Sequence, residues 1–198
     1  MPEPGSLTIA VLAAGQSRRF GPRDKLSAPF RGKRLGEHVC DTLARARFAL
    51  RPQHSLVVTA EDKHPCAQAW KAAGFDVVRN PNADQGIGTS VATAARIARR
   101  SGSSLLMIAL ADMPLVPVGH YRSLAAAAQA GDDHTIIASS DGTTRTPPAV
   151  FGEAHFDALT NLTGDVGARA LLAESATIPC DGECLIDIDT PETLAALT

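Results

Sequence analysis

The stretch LTIAVLAAGQSRRFGPRDKL, Leu7 to Leu26, joins two kinds of chemistry. Its first part, LTIAVLA (7–13), is short, continuous and largely apolar, the pattern of a parallel strand covered on both faces. Its second part brings Gly15 and Gly21 together with Arg18, Arg19, Arg23 and Lys25. Glycines let backbone N–H groups approach an oxyanion, and basic side chains neutralise it. A buried strand that runs into such a loop predicts an anion site at the strand's carboxyl end. The loop is not a P-loop, which needs G-x4-G-K-[ST], because Lys25 lies four residues beyond Gly21. Nor does it carry the G-x-G-x-x-G of dinucleotide sites.

The rest of the chain alternates in the same way. Strands are expected at 54–60, 75–79 and 104–111, the last the most apolar and placed centrally. Helices are expected at 35–50, 64–73, 91–100 and 117–130. The final third is less regular. HTIIAS (134–139) and PAVF (148–151) read as strands around the turn Asp141-Gly142, forming a β part over one end of the sheet. Helical segments near 153–160 and 165–174 precede two short strands, ATIPC (176–180) and CLIDI (184–188). Alternating β and α with short loops predicts an α/β fold with a mostly parallel sheet.

Bulk properties narrow the function. With 198 residues and 44% hydrophobic content, the chain can form one sizeable core, so a single domain over 1–198 is expected, with 1–6 as a disordered tail. A formal charge of -2 gives no bulk attraction to nucleic acid or to a membrane surface. The N-terminus lacks a basic region, and the apolar run 7–14 is too short for a signal peptide or a membrane span, so a cytoplasmic protein is expected. Cys180 and Cys184 are the only close pair of the four cysteines; they lack the partners of a structural zinc site and read as free thiols. None of the six histidines shows metal spacing.

In an open α/β sheet, ligands sit beyond the carboxyl ends of the strands. Four loops reach that edge, at 13–26, 80–90, 112–117 and 187–191, and they hold most of the polar and glycine signals. Asp112 follows the central strand directly, where a carboxylate would face the ligand crevice; its hard oxygens suit Mg2+ alongside substrate phosphates. As a bland alternative it caps a following helix. Asp187 and Asp189 alternate, so a strand there would point both to one face, one to bind metal and one to cap the helix that Asp189-Thr190-Pro191-Glu192 announces. Position alone does not say which. In NPNADQGIGTSV (80–91), Gly86 and Gly88 permit close approach of a base or phosphate, and Ser90 lies near the next helix start.

The motifs LAAGQSRRFGPRDKL, NPNADQGIGTSV, ALADMPLV, LTGDVGARALL and DIDTPE, in this order, resemble the MobA-like nucleotidyltransferase family, and within it the molybdenum cofactor cytidylyltransferases. The resemblance covers nearly the whole chain. It implies a Rossmann-like three-layer α/β/α sandwich of the nucleotide-diphospho-sugar transferase type, a nucleoside triphosphate and Mg2+ as bound groups, and pyrophosphate as the leaving product. It implies that Leu12, Ala13, Ala14, Gly15, Arg18 and Lys25 hold the triphosphate, that Gly86 and Ser90 hold the base, and that Asp112 and Asp189 bind the metal. Arg18, Lys25 and Asp112 are then the catalytic set. Ala14 stands where guanylyl-transferring relatives carry glycine, which favours CTP over GTP. The implied acceptor is a phosphorylated small molecule, molybdopterin in the first instance, with a molybdoenzyme as a further partner. Thr146-Pro147-Pro148 replaces the family's usual G-H-P, and GKRLG replaces G-K-P-L-L, so the acceptor need not be the usual one. Guanylyl transfer and a cofactor-carrying chaperone are the alternatives.

Overall fold

The computed structural model describes residues 5–15, 20, 24–165 and 168–198. The strands along the chain are β1 (Leu7–Ala13), β2 (Pro29–Phe30), β3 (Lys33–Arg34), β4 (His54–Thr59), β5 (Asp76–Arg79), β6 (Leu105–Leu110), β7 (Ile136–Ser140), β8 (Arg145–Gly152) and β9 (Ala176–Pro179). The helices are α1 (His38–Leu50), α2 (Ala67–Ala72), α3 (Ile87–Arg100), α4 (Val118–Gln129), α5 (Phe156–Thr160), α6 (Arg169–Leu172) and α7 (Pro191–Leu197). Seven strands pair in one sheet, in the order β5-β4-β1-β6-β8-β7-β9. Every pairing is parallel except those of β8, which runs against β6 and β7. β6 is central, as its apolar sequence LLMIAL requires of a strand covered on both sides.

Alternation along β1 divides the core into two. Leu7, Ile9, Val11 and Ala13 pack on one face with Val39, Leu43 and Ala46 of α1 and Leu124 and Ala128 of α4. Ala10 and Leu12 pack on the other with Val91, Ala94, Ala95 and Ala98 of α3 and Leu159 of α5. The result is the expected three-layer α/β/α arrangement. Val91, Ala94, Ala95 and Ala98 recur at the three- and four-residue spacing of one helical face, and the three alanines let the helix lie close to the sheet.

Two expectations need correction. The segment 134–151 does not sit over the end of the sheet: β7 and β8 form a hairpin within it, and a register shift falls between Ala138 and Ser139. The run 184–188 is not a strand. Gly182–Leu185 forms a 3-10 turn capped by Asp181, whose side chain accepts from Glu183 N, and an extended segment follows. One backbone bond, from Ile188 N to the Asp112 carbonyl at 2.9 Å, ties that segment to the sheet rim, while the Ile188 side chain is fully buried. Of the expected tail, residues 1–4 lie outside the described residues, and the Ser6 carbonyl accepts from Ser104 N and Leu105 N at 3.0 Å. Among the described residues, no helix is long and apolar enough to cross a membrane.

Candidate active site

The four loops singled out in the sequence meet at the carboxyl edge of the parallel strands, where they surround a cavity of about 350 Å3. Leu12, Ala14, Gly15, Lys25, Gly86, Ser90, Asp112 and Asp189 all line it. Among the described residues, one of those anticipated, Ala13, does not. Ala13 points into the core beside α1 and α4, because the pleat of β1 sends its side chain away from Leu12's. Arg18 lies outside the described residues, as do Arg19 and Gly21.

Lys25 sits at the centre. Its residue is 6% exposed, and its ammonium donates to Asp112 Oδ2 at 2.6 Å and to Asp189 Oδ1 at 2.7 Å. Burial would make the ammonium easier to deprotonate, but the two carboxylates outweigh it and raise the lysine's pKa above the ordinary value. Asp112 is placed by the end of β6: Ala111 N donates to the Leu12 carbonyl at 3.0 Å, and Met113 N turns back to the Leu110 carbonyl. Asp112 does not cap a helix, since α4 begins six residues later, after Pro117. Neither Asp187 nor Asp189 caps α7; Thr190 does, its hydroxyl accepting from Thr193 N.

The donor set fits a hard cation. Asp112 Oδ1 is buried and accepts no hydrogen bond from the described residues, so it holds lone pairs that they leave unsatisfied. Among the described residues, no three His, Cys, Asp or Glu side chains are grouped to hold a metal by themselves. Mg2+ does not require that, because it takes one or two carboxylates and fills its shell with water and phosphate oxygens. Asp84, Asp112, Asp165 and Asp189 line the cavity together with Lys25.

Sequence reasoning misses Asp84, Asp165 and the contacts made by two glycines. Gly86, expected to admit a ligand, lines the cavity and also admits the chain itself. Its φ is +105°, and a Cβ there would lie 2.4 Å from the carbonyl carbon of Gly164. Gly88 N donates to the Gly164 carbonyl at 2.9 Å, and a Cβ on Gly88 would lie 2.8 Å from the Thr163 carbonyl oxygen. The two glycines therefore seat the T-G-D turn at 163–165 against the start of α3 and bring Asp165 to the cavity. Asn80 stitches the same loop. Its Nδ2 donates to Thr89 Oγ1 at 2.8 Å and to Ser90 Oγ at 3.0 Å, and its Oδ1 accepts from Asn82 N. Ser90 Oγ is thus held by a donor at the cavity wall.

A second cavity of about 470 Å3 adjoins the first and shares Leu12, Ile87, Leu110 and Asp165 with it. Ile108, Ala149 and Phe151 give it an apolar wall, and Arg145, Arg169 and Asp187 supply charge. Asp187 and Asp189 thus serve different cavities. Burial, then the nearby Asp189 and Asp112 carboxylates, raise the pKa of Asp187 above the usual carboxylate value. Among the described residues no ion pair joins Arg169 to Asp165.

Known proteins share this plan. The chain is 33% identical over 196 residues to the purine catabolism protein PucB of Bacillus subtilis (strain 168), covering 91% of this chain and 90% of that one. A nucleotidyl transferase from Methanothermobacter thermautotroptrophicus superimposes with a TM-score of 0.77 at 20% identity, over 97% of this chain and 95% of the other. A manganese complex of Rv0371C from Mycobacterium tuberculosis H37Rv gives 0.73 at 24% identity, over 97% of both chains. The model of the MobA-like NTP transferase domain matches residues 9–178, which span the sheet and the loops of both cavities up to β9. The chain therefore belongs to the MobA-like NTP transferase family, and it is a nucleotidyltransferase.

Proposed function

We propose that the protein transfers a nucleoside monophosphate from CTP to a phosphorylated acceptor bound in the second cavity. An acceptor phosphate oxygen attacks the α-phosphorus, the bond from that phosphorus to the bridging oxygen breaks, and pyrophosphate leaves with the bonding electrons. No covalent protein nucleophile is needed, because the attacking group is itself a phosphate. The observation that carries this reading is the Lys25 ammonium held between Asp112 and Asp189 beside an unsatisfied Asp112 oxygen. Asp112 and Asp189 would hold Mg2+, which supplies positive charge for the triphosphate and the departing pyrophosphate. Lys25, with Arg18, would neutralise the phosphates from the opposite side. Leu12, Ala14, Gly15, Gly86 and Ser90 would form the nucleotide's bed, with the methyl of Ala14 favouring the smaller pyrimidine.

The acceptor reading rests on the shared walls of the two cavities. Arg145 and Arg169 beside Ile108, Ala149 and Phe151 suit a flat apolar body with an anionic end. Molybdopterin is the first candidate, on the resemblance of TGDVGARALL (163–172) to the cytidylyltransferase branch. The similarity to PucB favours a second reading, in which the acceptor belongs to purine breakdown. Pyrophosphate release from CTP and GTP, with Mg2+ and each candidate acceptor, tests the proposal. Release that depends on both CTP and molybdopterin supports it. Release with GTP alone would reassign the nucleotide, and binding of acceptor without release would favour the carrier alternative.

A further inference from the structure

We propose that His64 is a positioning residue for Lys25, acting through Asp24; the functional side of this inference rests on the nucleotide reading above. Lys25 opens a 3-10 turn, Lys25–Ser27, and Asp24 caps it: Oδ1 accepts from Leu26 N at 3.2 Å, and Oδ2 accepts from the Ser27 hydroxyl. His64 Nε2 lies 3.2 Å from the same Oδ2. The imidazole is fixed in its role. Its Nδ1 accepts from Cys66 N at 3.1 Å, so the proton of the neutral ring is on Nε2 and faces Asp24. Its face stacks on Trp70, with centroids 4.6 Å apart and planes 24° from parallel, and Trp70 is itself fully buried and anchored by Nε1 to the Gly36 carbonyl at 2.7 Å.

The histidine is thus a rigid strut between a buried indole and the carboxylate that shapes the lysine's turn. A second contact from the same segment reinforces it: Cys66 Sγ donates to the Leu26 carbonyl at 3.4 Å. Burial pushes that thiol's pKa up to about 12, so it acts as a neutral donor and not as a nucleophile. The need for a strut follows from the charges. An ammonium buried between two carboxylates is held by geometry that must be right to a few tenths of an ångström, and a loose turn would forfeit it.

A double-mutant cycle tests the coupling. His64→Phe keeps the stack on Trp70 but loses the donor, and His64→Gln restores an N–H near the position of Nε2. In pyrophosphate release, H64F is expected to lower kcat/KM for the nucleotide about tenfold with the acceptor KM unchanged, and H64Q to recover most of it. In a Lys25→Ala background, H64F is expected to cost less than about twofold further. Asp24→Asn, which keeps the shape of the cap, should follow the same pattern and stands in should H64F fold poorly. Equal losses in both backgrounds, or a matching rise in the acceptor KM, would overturn the proposal. The cycle is also read in urea unfolding, where the His64 and Lys25 substitutions should be non-additive. Coupled unfolding with turnover indifferent to K25A would overturn the nucleotide reading and leave the strut; additive unfolding with K25A inactive would overturn the strut and leave the reading.

Discussion

The ammonium of Lys25 lies 2.6 Å from Asp112 Oδ2, although 87 residues separate them in the chain. β1 and β6 are neighbours in the sheet, and the loop after one and the second residue after the other lie at the same rim. Asp189 reaches the same ammonium from the far end of the chain, because Ile188 N is bonded to the Asp112 carbonyl. Three distant segments therefore share one cationic centre, and a change in any of them should be felt by the other two.

Under the proposed function, a metal ion and the Lys25 ammonium would share the Asp112 and Asp189 carboxylates. A cation arriving alone would then be repelled by the ammonium already seated there, whereas a triphosphate would offer that ammonium another partner. Mn2+ is expected to bind weakly to the protein alone, and Lys25→Met is expected to bind it about tenfold more tightly, a gain of about 1.4 kcal/mol. Electron paramagnetic resonance titration of free Mn2+ measures this directly. Weaker Mn2+ binding in the variant would show that the lysine does not occupy the metal's place.

The seat for the T-G-D turn gives a stability prediction. Gly86→Ala combines a left-handed φ of +105° with a Cβ pressed to 2.4 Å against Gly164. A loss of about 2 kcal/mol or more is expected in urea denaturation, from backbone strain and displacement of the turn. The same change should weaken nucleotide binding, since Asp165 would move with the turn. Wild-type stability in this variant would mean that the turn is seated elsewhere.

Acid sensitivity follows from Asp24. Burial works to raise its pKa, but the hydrogen bonds from His64 and Ser27 outweigh burial and hold it at about 2. A carboxyl with a depressed folded-state pKa contributes stability that is fully present above its unfolded value near 3.8 and is lost as the pH falls through the folded one. The stability gap between wild type and Asp24→Asn is therefore expected to be largest near pH 6 and to shrink between about pH 4 and pH 2. Chemical denaturation across that range measures the gap, and a gap that stays constant would place the stabilisation outside this carboxylate.

Much of the fold and the site is legible in the sequence, and the failures share a cause. Continuous apolar runs at 7–13 and 105–110 announce strands covered on both faces, and the carboxyl-edge rule then gathers the loops of Lys25, Asp112 and Asp189. Periodicity reports which side chains are buried and not what the backbone pairs with. Ile188 is buried as its pattern suggests, yet among the described residues its segment makes a single rim bond and no ladder. Gly86 and Gly88 correctly signal a close approach, but the approaching group comes from 163–165, a contact that no local pattern encodes. His64 carries no metal spacing, and its partner Asp24 reads as one more polar residue in a charged loop; only the folded arrangement stacks the imidazole on Trp70 and aims it at the lysine's turn.

If Lys25 and Asp112 serve one nucleotide, removing either must cripple the same reaction. Pyrophosphate release by the wild type, Lys25→Ala and Asp112→Ala, each checked for folding by circular dichroism, decides the matter. Both variants are expected to lose about 100-fold or more in turnover, the usual effect of removing one preorganised charge from a reacting phosphate. Turnover near the wild-type level in either folded variant would contradict a shared nucleotide site.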